Sequence, residues 1–377
     1  MKFLTRFLVF VNVEKVLSCI LDKFALSLQK AISIEEWMRY QDWPILDVRS
    51  PGEYNHAHIS GAVSLPLFTD EERAIVGTLY KQEGKEPAMM KALELVSPRM
   101  IPIVNEAKRH APIQKARIHC WRGGMRSGSV AWLLNTMGFE EIYTLQGGYK
   151  SYRNWIISQF STDYSIWVLG GRTGSAKTEV LKKLNELGDN TIDLEGLAQH
   201  KGSAFGWIGE KEQPTQEQFE NYFGEALNKI SATPFWLEDE SENIGKIRIP
   251  HAFFGKMRSA PVFFLDIPRE IRIPHLVQTY SSYGDEKLEQ SILKIERRLG
   301  GLNTKNALMA LHRKEYDRVA EIALIYYDKS YESGVNKRNP EWVVRIQSNT
   351  VDPSINAELI LKHKKKYSNG PSQTYTV

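Results

Sequence analysis

The stretch Ser165-Ile-Trp-Val-Leu-Gly-Gly-Arg-Thr-Gly-Ser-Ala-Lys-Thr178 decides the fold of the second half of this chain. It is an apolar segment that runs directly into a glycine-rich loop. Apolar residues then recur at helical spacing from Val180 to Leu187, and Gly188 is placed to end the helix. A strand, a glycine-rich loop, Lys-Thr and a helix form the P-loop arrangement, in which main-chain amides surround a phosphate. The sequence therefore predicts a phosphate-binding loop in a parallel α/β domain.

The predicted phosphate-binding residues are Gly171, Arg172, Thr173, Gly174, Ser175, Ala176, Lys177 and Thr178. The ammonium group of Lys177 is expected to bridge phosphate oxygens, and the Thr178 hydroxyl can reach a magnesium ion, which makes Mg²⁺ a candidate cofactor. Ala176 stands where a glycine normally precedes the lysine. Its methyl group is expected to crowd the phosphate or shift the loop, so anion binding is predicted more strongly than nucleotide hydrolysis.

Two further strands are predicted in this domain, at Pro234–Leu237 and Pro261–Asp266. Helical connections between them give the pattern of a parallel sheet with crossovers. Acidic residues follow the first of these strands, at the position where P-loop folds hold a metal ion or a water. Glu238 and Asp239 are therefore the predicted metal ligands, together with Thr178.

A second glycine-rich loop lies about fifty residues upstream and reads Cys120-Trp121-Arg122-Gly123-Gly124-Met125-Arg126. It follows a short predicted strand, Lys115–His119, and precedes apolar residues at helical spacing that end at Gly138. The two glycines allow successive main-chain amides to turn inward, and the helix that follows adds its positive end. The loop is therefore predicted to hold an oxyanion beside the cysteine.

The chemistry of Cys120 follows from the charges around it. A free thiol has a pKa near 8.5, so only a few per cent is ionised at neutral pH. The amides of the loop and the guanidinium groups of Arg122 and Arg126 are expected to lower that pKa. A buried structural cysteine would need neither the glycines nor the arginines. Cys120 is thus the predicted catalytic nucleophile.

The composition of the chain limits which classes of protein it can belong to. The 377 residues are enough for two or three domains, and the content of 42% apolar and 25% charged residues is that of an ordinary globular protein. With only two cysteines, Cys19 and Cys120, a disulfide framework is excluded and a reducing cytoplasm is predicted. The apolar run Phe7–Val13 is short and flanked by charged residues, so we predict neither a signal peptide nor a membrane span.

The chain is predicted to comprise four parts. Residues 1–30 are an N-terminal extension, and residues 31–155 are a first α/β domain with a helical insertion from Thr69 to His110. Residues 160–350 are the P-loop NTPase-like domain, which has a helical part from Glu286 to about Gly334. Residues 351–377 are a basic tail. Disorder is predicted for the tail beyond His363, because lysines are followed there by Ser, Asn, Gly and Pro.

The first domain resembles the rhodanese family. Cys-x5-Arg after a short strand is similar to the active loop of that family, in which the cysteine carries a persulfide. The stretches Leu46–Tyr54 and His58–Pro66 resemble its upstream signature, and Leu145-Gln-Gly-Gly148 resembles its closing turn. The resemblance implies a rhodanese-like domain in which Asp47 and Arg49 form a scaffold pair.

The combination of the two domains resembles the tRNA 2-selenouridine synthase family over roughly Ile32 to Gln347. The segments that carry this resemblance are Glu71–Gly77 with Tyr80–Gln82, Asp193–Ala198 with His200–Gly206, Leu237–Ser241 and Tyr326–Asp328. It implies that the chain acts on the wobble 2-thiouridine of certain tRNAs. The sulfur is first alkylated by geranyl from geranyl diphosphate and is then replaced by selenium from selenophosphate, so that an enzyme that supplies selenophosphate becomes a candidate partner.

The resemblance also assigns residues. Cys120 would receive or deliver selenium, Lys177 and Thr178 would hold the diphosphate, and Glu238 or Asp239 would place magnesium. Candidates for lining the same cleft are His200, Lys201 and Ser203. Because the wobble base must leave its stack to be reached, Trp121, Lys294, Arg297 and Arg298 are candidates for contacting the tRNA.

Three alternatives remain open from the sequence. The first is a P-loop ATPase or kinase that the rhodanese module regulates. The second is a plain sulfurtransferase with an idle second domain, and the third is a tRNA-binding adaptor without catalytic activity. These differ in whether ATP turnover depends on Lys177 and whether any product depends on Cys120.

Overall fold

Two units make up the chain in the computed structural model, which describes residues 30–230 and 234–368. They are Met1–Trp155 and Ile156–Val377. The predicted N-terminal extension, residues 1–30, lies outside the described residues except for Lys30. Among the helices of the described ranges, none is long and apolar enough to cross a bilayer.

The first unit is built on a five-stranded parallel sheet. Its strands are β1 (Lys30–Ile32), β2 (Ile45–Asp47), β3 (Ala62–Ser64), β4 (Lys115–His119) and β5 (Glu141–Leu145), in the order β1-β5-β4-β2-β3. All four pairings are parallel. The most central strand, β4, is buried from Ala116 to His119, as expected for a strand covered on both faces. The cysteine loop follows this strand directly.

Helices cover this sheet and form the predicted insertion. They are α1 (Ile34–Trp37), α2 (Pro51–His56), α3 (Asp70–Gln82), α4 (Lys85–Val96), α5 (Met100–His110) and α6 (Met125–Thr136); α7 (Gly148–Gln159) begins in the first unit and ends in the second. Helices α3 to α5 confirm the helical insertion. Thr69 is the N-cap of α3, where its hydroxyl accepts from Glu72 N and the Glu72 carboxylate accepts from Thr69 N.

The second unit has its own five-stranded parallel sheet. Its strands are β6 (Ile166–Gly171), β7 (Asn190–Ile192), β8 (Phe235–Glu238), β11 (Val262–Asp266) and β12 (Val343–Gln347), in the order β12-β11-β6-β8-β7. A short antiparallel pair, β9 (Asn243–Ile244) and β10 (Ile247–Arg248), lies outside it. The strand predicted before the phosphate loop is β6, at the centre of the sheet. The strands predicted from Pro234 and Pro261 are confirmed as β8 and β11.

The helices of the second unit include the predicted helical part. They are α8 (Lys177–Glu186), α9 (Leu194–Ala198), α10 (Gln216–Lys229), α11 (His251–Arg258), α12 (Arg269–Tyr280), α13 (Asp285–Lys294), α14 (Glu296–Leu299), α15 (Gly301–His312), α16 (Tyr316–Val335) and α17 (Pro353–Ser368). Helices α13 to α16 pack on one another through a buried apolar cluster that also includes Phe205 and Ile208. The fold is thus a rhodanese-like domain followed by a P-loop-like α/β domain with a helical C-terminal part.

The prediction of disorder beyond His363 is wrong for residues 364–368, which belong to α17. Ala357 and Ile360 of this helix are fully buried in the core of the second unit. Lys364 Nζ donates to Asp189 Oδ2 at 2.7 Å, so one tail lysine is fixed by an ion pair. The sequence signal was Asp352 before Pro353, an N-cap residue followed by a proline at the first helical position.

Candidate active sites in the two units

Cys120 lies at the floor of the first loop, immediately after the last residue of β4. Its side chain is only 3% exposed. The sulfur nevertheless faces a polar group, because Ser127 Oγ lies 3.3 Å from Cys120 Sγ. The same oxygen lies 3.2 Å from the carbonyl oxygen of Gly124, so its single proton can serve either acceptor. When the thiol is ionised, Ser127 can donate to it.

Glycine is required in the loop because another main-chain segment approaches it closely. Gly123 has φ +64°, and a Cβ there would lie 2.4 Å from the carbonyl oxygen of Leu145. Gly148 has φ +61°, and its Cβ would lie 2.3 Å from Gly123 N. Tyr149 N donates to Cys120 O at 2.8 Å, so the closing turn holds the loop in place. The predicted closing turn is therefore the support on which the cysteine loop rests.

The two arginines of the loop differ in their surroundings. Arg126 Nη1 donates to Glu53 Oε2 at 2.8 Å, and Arg73 lies 3.3 Å from the same carboxylate oxygen. Arg122 is exposed. Burial raises the pKa of Glu53, but the hydrogen bond and charge of Arg126 lower it more, so the pair is ionic. Arg126 is thus fixed in position by a carboxylate that the sequence did not connect with it.

The pKa of the Cys120 thiol lies below its ordinary value. Burial raises it, but hydrogen bonds from the Ser127 side chain and amide, the charge of Arg126 and the amide of Arg122 together outweigh burial. This is the direction that the sequence predicted from the glycines and arginines. The thiolate is the reactive form of cysteine, so the geometry favours a nucleophile.

Ser127→Ala tests this electrostatic account. The substitution removes the hydroxyl that donates to the ionised sulfur, so the pKa of Cys120 is expected to rise. Alkylation by iodoacetamide should become slower at neutral pH, and its pH profile should move toward higher pH. Ser129→Ala is the matched control, because Ser129 is exposed and its hydroxyl donates to Met125 O. An unshifted profile in Ser127→Ala would show that the main-chain amides and the charge of Arg126 set the pKa without the hydroxyl.

Asp47 and Arg49 form a fully buried pair beside this loop. Arg49 Nη2 lies 2.6 Å from Asp47 Oδ2 and 2.7 Å from the carbonyl oxygen of Ala57. The guanidinium group also stacks on the ring of Tyr149, 3.8 Å from its centroid. His119 is buried in the same place, and burial lowers its pKa to about 4, so the imidazole is neutral. These groups support the loop as a scaffold, and they are too deeply enclosed to contact a substrate.

The phosphate loop joins β6 to α8 in the second unit. Lys177 is the first residue of α8, and its Nζ donates to Gly171 O at 3.1 Å across the loop. Ser175 Oγ donates to Arg172 O at 2.7 Å. Gly174 has φ +85°, and a Cβ there would lie 2.8 Å from Leu276. The loop therefore has a defined curled form with the lysine folded over it.

Ala176 takes the conformation that a glycine would have. Its φ of +55° and ψ of +36° place it in the left-handed region, at the N-cap of α8. An alanine in this conformation costs roughly 1 kcal/mol. Burial of its methyl group returns about 0.8 kcal/mol. Ala176 therefore keeps the left-handed backbone conformation that glycine adopts readily.

Ala176→Gly should accordingly be close to neutral. We expect the dissociation constant for inorganic pyrophosphate, measured by calorimetry, to change by less than about threefold, because the gain in backbone freedom and the lost methyl contact nearly cancel. A much tighter complex would show instead that the methyl group crowds the phosphate. Much weaker binding would show that the methyl group is part of the site.

A cavity of about 860 Å³ lies over the phosphate loop. Residues 173–178 line it, whereas Gly171 and Arg172 do not. Arg172 is held away by ion pairs with Asp266 and Glu332. The other polar residues that line the cavity include Asp193, Glu195, Lys201, Ser203, Asp239, Glu240, Arg258 and Arg298. Of the weaker predictions, Lys201, Ser203 and Arg298 are therefore at the cavity, and His200, Lys294 and Arg297 are not.

Of the predicted metal set, Thr178 and Asp239 line the cavity and Glu238 does not. Glu238 is fully buried, does not line the cavity, and accepts from Leu194 N at 3.1 Å. Asp239 is held by Arg338, by Arg258 at 3.5 Å and by Tyr331 at 3.2 Å. Asp239 therefore lines the cavity while it is paired with two arginines.

Glu195, which was not among the predicted metal ligands, contacts Thr178 directly. Thr178 Oγ1 donates to Glu195 Oε2 at 2.9 Å. Burial raises the pKa of Glu195, although Lys177 opposes this shift. Burial and the charge of Glu195 raise the pKa of Glu240 well above its ordinary value. Within residues 30–230 and 234–368, no three His, Cys, Asp or Glu side chains are placed to hold a metal ion together.

Comparison with known proteins matches both units. A family model described as "Rhodanese-like domain" matches residues 30–154, and one described as "tRNA 2-selenouridine synthase AAA domain" matches residues 164–360. A tRNA 2-selenouridine synthase of Bdellovibrio bacteriovorus is 35% identical and aligns over 86% of this chain and 90% of its own length. The tRNA 2-selenouridine synthase of Hydrogenovibrio crunogenus is 34% identical and aligns over 78% of this chain and 90% of its own length. That of Serratia proteamaculans is 33% identical and aligns over 86% of this chain and 89% of its own length.

Proposed function

Because this chain belongs to the tRNA 2-selenouridine synthase family and is thus a tRNA-modifying transferase, we propose that it carries out two consecutive transfers on the wobble 2-thiouridine. The first is transfer of geranyl from geranyl diphosphate to the sulfur. The second is replacement of that sulfur by selenium from selenophosphate. The single observation that supports this proposal is the presence of two glycine-rich loops in one chain, one with a thiol of lowered pKa and one with a lysine beside a large cavity.

Alkylation makes the later substitution feasible. A thiocarbonyl sulfur is a poor leaving group, whereas an alkylated sulfur can depart as a thiol. In the first transfer the bond from sulfur to C1 of geranyl forms as the C1–O bond breaks. Diphosphate leaves with the electron pair, and the base loses its N3 proton. Lys177 and the main-chain amides of the loop support this step, because they would stabilise the charge that develops on the diphosphate.

The cavity offers few groups that could hold a magnesium ion for this step. Mg²⁺ in phosphate sites is usually held by one or two carboxylates, by substrate oxygens and by water. Thr178, Glu195 and Glu240 line the cavity and would be the groups that hold it. The ion would neutralise charge between the diphosphate and these carboxylates. Lys177 lies beside the same carboxylates and contributes positive charge there without a metal.

The second transfer is assigned to Cys120. Selenium is at the selenide level both in selenophosphate and in the product, so the exchange needs no oxidant or reductant. The Cys120 thiolate would attack the phosphorus of selenophosphate, so that an S–P bond forms and the P–Se bond breaks. The released selenide forms the C2–Se bond as the C2–S bond breaks, geranylthiol leaves with a proton, and water hydrolyses the S–P bond to give phosphate. The lowered pKa of Cys120 and the amides of its loop support its role in delivering selenium. A reducing cytoplasm and an enzyme that supplies selenophosphate belong to the same proposal.

The base must leave its stack to be reached. Planar groups that could support it lie at each loop. The ring of Trp121 is 5.6 Å from that of Tyr149, and Arg298 lines the phosphate cavity with its Nη1 3.2 Å from Tyr326 Oη. We propose Trp121 and Arg298 as contacts to the tRNA.

The decisive experiment uses the purified full-length chain and a thiolated anticodon stem-loop. Geranyl diphosphate and selenophosphate are added separately and together, and nucleosides are read by mass spectrometry. We expect geranylated 2-thiouridine with geranyl diphosphate alone, no change with selenophosphate alone, and 2-selenouridine with both. Selenouridine made without geranyl diphosphate, or a requirement for ATP hydrolysis, would contradict the proposal and favour a sulfurtransferase-like or ATPase mechanism.

A further inference from the structure

A second pocket adjoins the phosphate cavity in the same unit, and it is apolar. Its volume is about 60 Å³. Five residues line both spaces, namely Thr173, Ser203, Leu276, Tyr280 and Tyr327. The two spaces therefore share a rim at the side of the loop residue Thr173, within reach of a ligand held on the phosphate loop.

Helix α16 builds most of the apolar wall. Tyr316, Val319, Ala320, Ala323, Leu324 and Tyr327 recur at helical spacing and all line the pocket. Leu288 of α13 and Phe205 close it on the other sides. The two alanines leave the space that larger residues on this face would fill. The pocket is thus produced by small residues within an otherwise bulky apolar face.

The rim between pocket and cavity is polar but uncharged. Burial raises the pKa of Tyr327 to about 12, and it also raises the pKa of Tyr280, so both phenols are neutral. Tyr327 Oη accepts from Ala204 N at 3.0 Å. No Asp, Glu, Lys or Arg lines the apolar pocket within the described residues. Its chemistry fits a hydrocarbon and offers no charged partner to a second phosphate.

We propose that this pocket binds the terminal isoprene unit of the prenyl diphosphate and that Ala323, with Ala320, sets the chain length. The inference rests on the proposed geranyl transfer and assigns its specificity. The pocket volume of about 60 Å³ corresponds to roughly four to six groups the size of a water molecule, at roughly 10–15 Å³ for each group. Counting one carbon atom for each such group, the pocket has room for one isoprene unit of five carbon atoms. The first isoprene unit would then lie along the shared rim, with its diphosphate on the loop.

Ala323→Phe tests the assignment by filling the pocket. We expect kcat/KM for geranyl diphosphate to fall by at least about tenfold, since overpacking excludes the terminal unit. The value for dimethylallyl diphosphate, which lacks that unit, should change by less than about threefold. The dissociation constant for inorganic pyrophosphate should likewise be retained. Ile325→Phe is the matched control, because Ile325 lies on the same helix, is 45% exposed and does not line the pocket.

Leu288→Ala tests the opposite change at the far wall. Enlarging the pocket should raise the preference for farnesyl over geranyl diphosphate by at least about fivefold. Equal losses with geranyl and dimethylallyl diphosphate in Ala323→Phe, at unchanged pyrophosphate affinity, would overturn the inference while geranyl transfer by the wild type still upheld the proposed function. A wild type that transfers no prenyl group to thiouridine would overturn both.

Discussion

Replacing Lys177 with alanine should abolish geranyl transfer, with a fall in kcat/KM of at least about a hundredfold. The lysine lines the phosphate cavity, and its Nζ lies 3.1 Å from Gly171 O on the opposite side of the loop. It is therefore positioned to contact a diphosphate in the ground state and to stabilise the charge that accumulates as the C1–O bond breaks. The measurement is geranylated nucleoside formed under single-turnover conditions.

The control for this substitution lies six residues further along the same helix. Lys183 pairs with Glu186 at 2.8 Å and does not line the cavity, so Lys183→Ala should retain geranyl transfer. Selenation should also survive Lys177→Ala when a stem-loop that already carries geranylated thiouridine is supplied. If Lys177→Ala retained geranyl transfer, the assignment of the diphosphate to the phosphate loop would be wrong. Loss of selenation on the geranylated substrate would indicate that the variant is damaged more widely.

Both loops could be predicted from the sequence because their determinants are local. The strand before each loop, the glycines within it and the helix after it lie within a few residues of one another. Even the departure at Ala176 was visible, although only the structure shows that it adopts the left-handed conformation. The parallel orientation of the strands around β6 followed from the alternation of strands and helices.

The partners of these loops could not be predicted, because they are distant in sequence. Thr178 and Glu195 are 17 residues apart, Arg126 and Glu53 are 73 apart, and Asp239 and Arg338 are 99 apart. The acidic residues at the end of β8 indicated a metal site. Their pattern did not show which of these carboxylates would form ion pairs with arginines. The same limit applies to the apolar pocket, whose walls come from α12, α13 and α16. Local signals predict where main-chain amides gather, and only packing decides which side chains meet them.

Replacing Cys120 with serine should separate the two transfers. We expect 2-selenouridine to fall below detection, by at least about a thousandfold, because a serine hydroxyl is not ionised at neutral pH and is a far weaker nucleophile. Geranylated 2-thiouridine should accumulate, since the phosphate loop lies in the other unit and keeps all its residues. Nucleoside mass spectrometry of tRNA from cells that carry the variant measures both products at once.

The second cysteine of the sequence provides the matched control. Cys19→Ser removes one thiol and leaves the loop from Cys120 to Arg126 intact, so 2-selenouridine should form at the wild-type level. If Cys120→Ser still makes 2-selenouridine, selenium reaches the base without the thiolate, and the loop serves only to bind an oxyanion. If the geranylated nucleoside is also lost, geranyl transfer depends on Cys120 as well, and the two transfers do not use independent sites. Accumulation of the geranylated intermediate is therefore the result that distinguishes a two-site transferase from a sulfurtransferase.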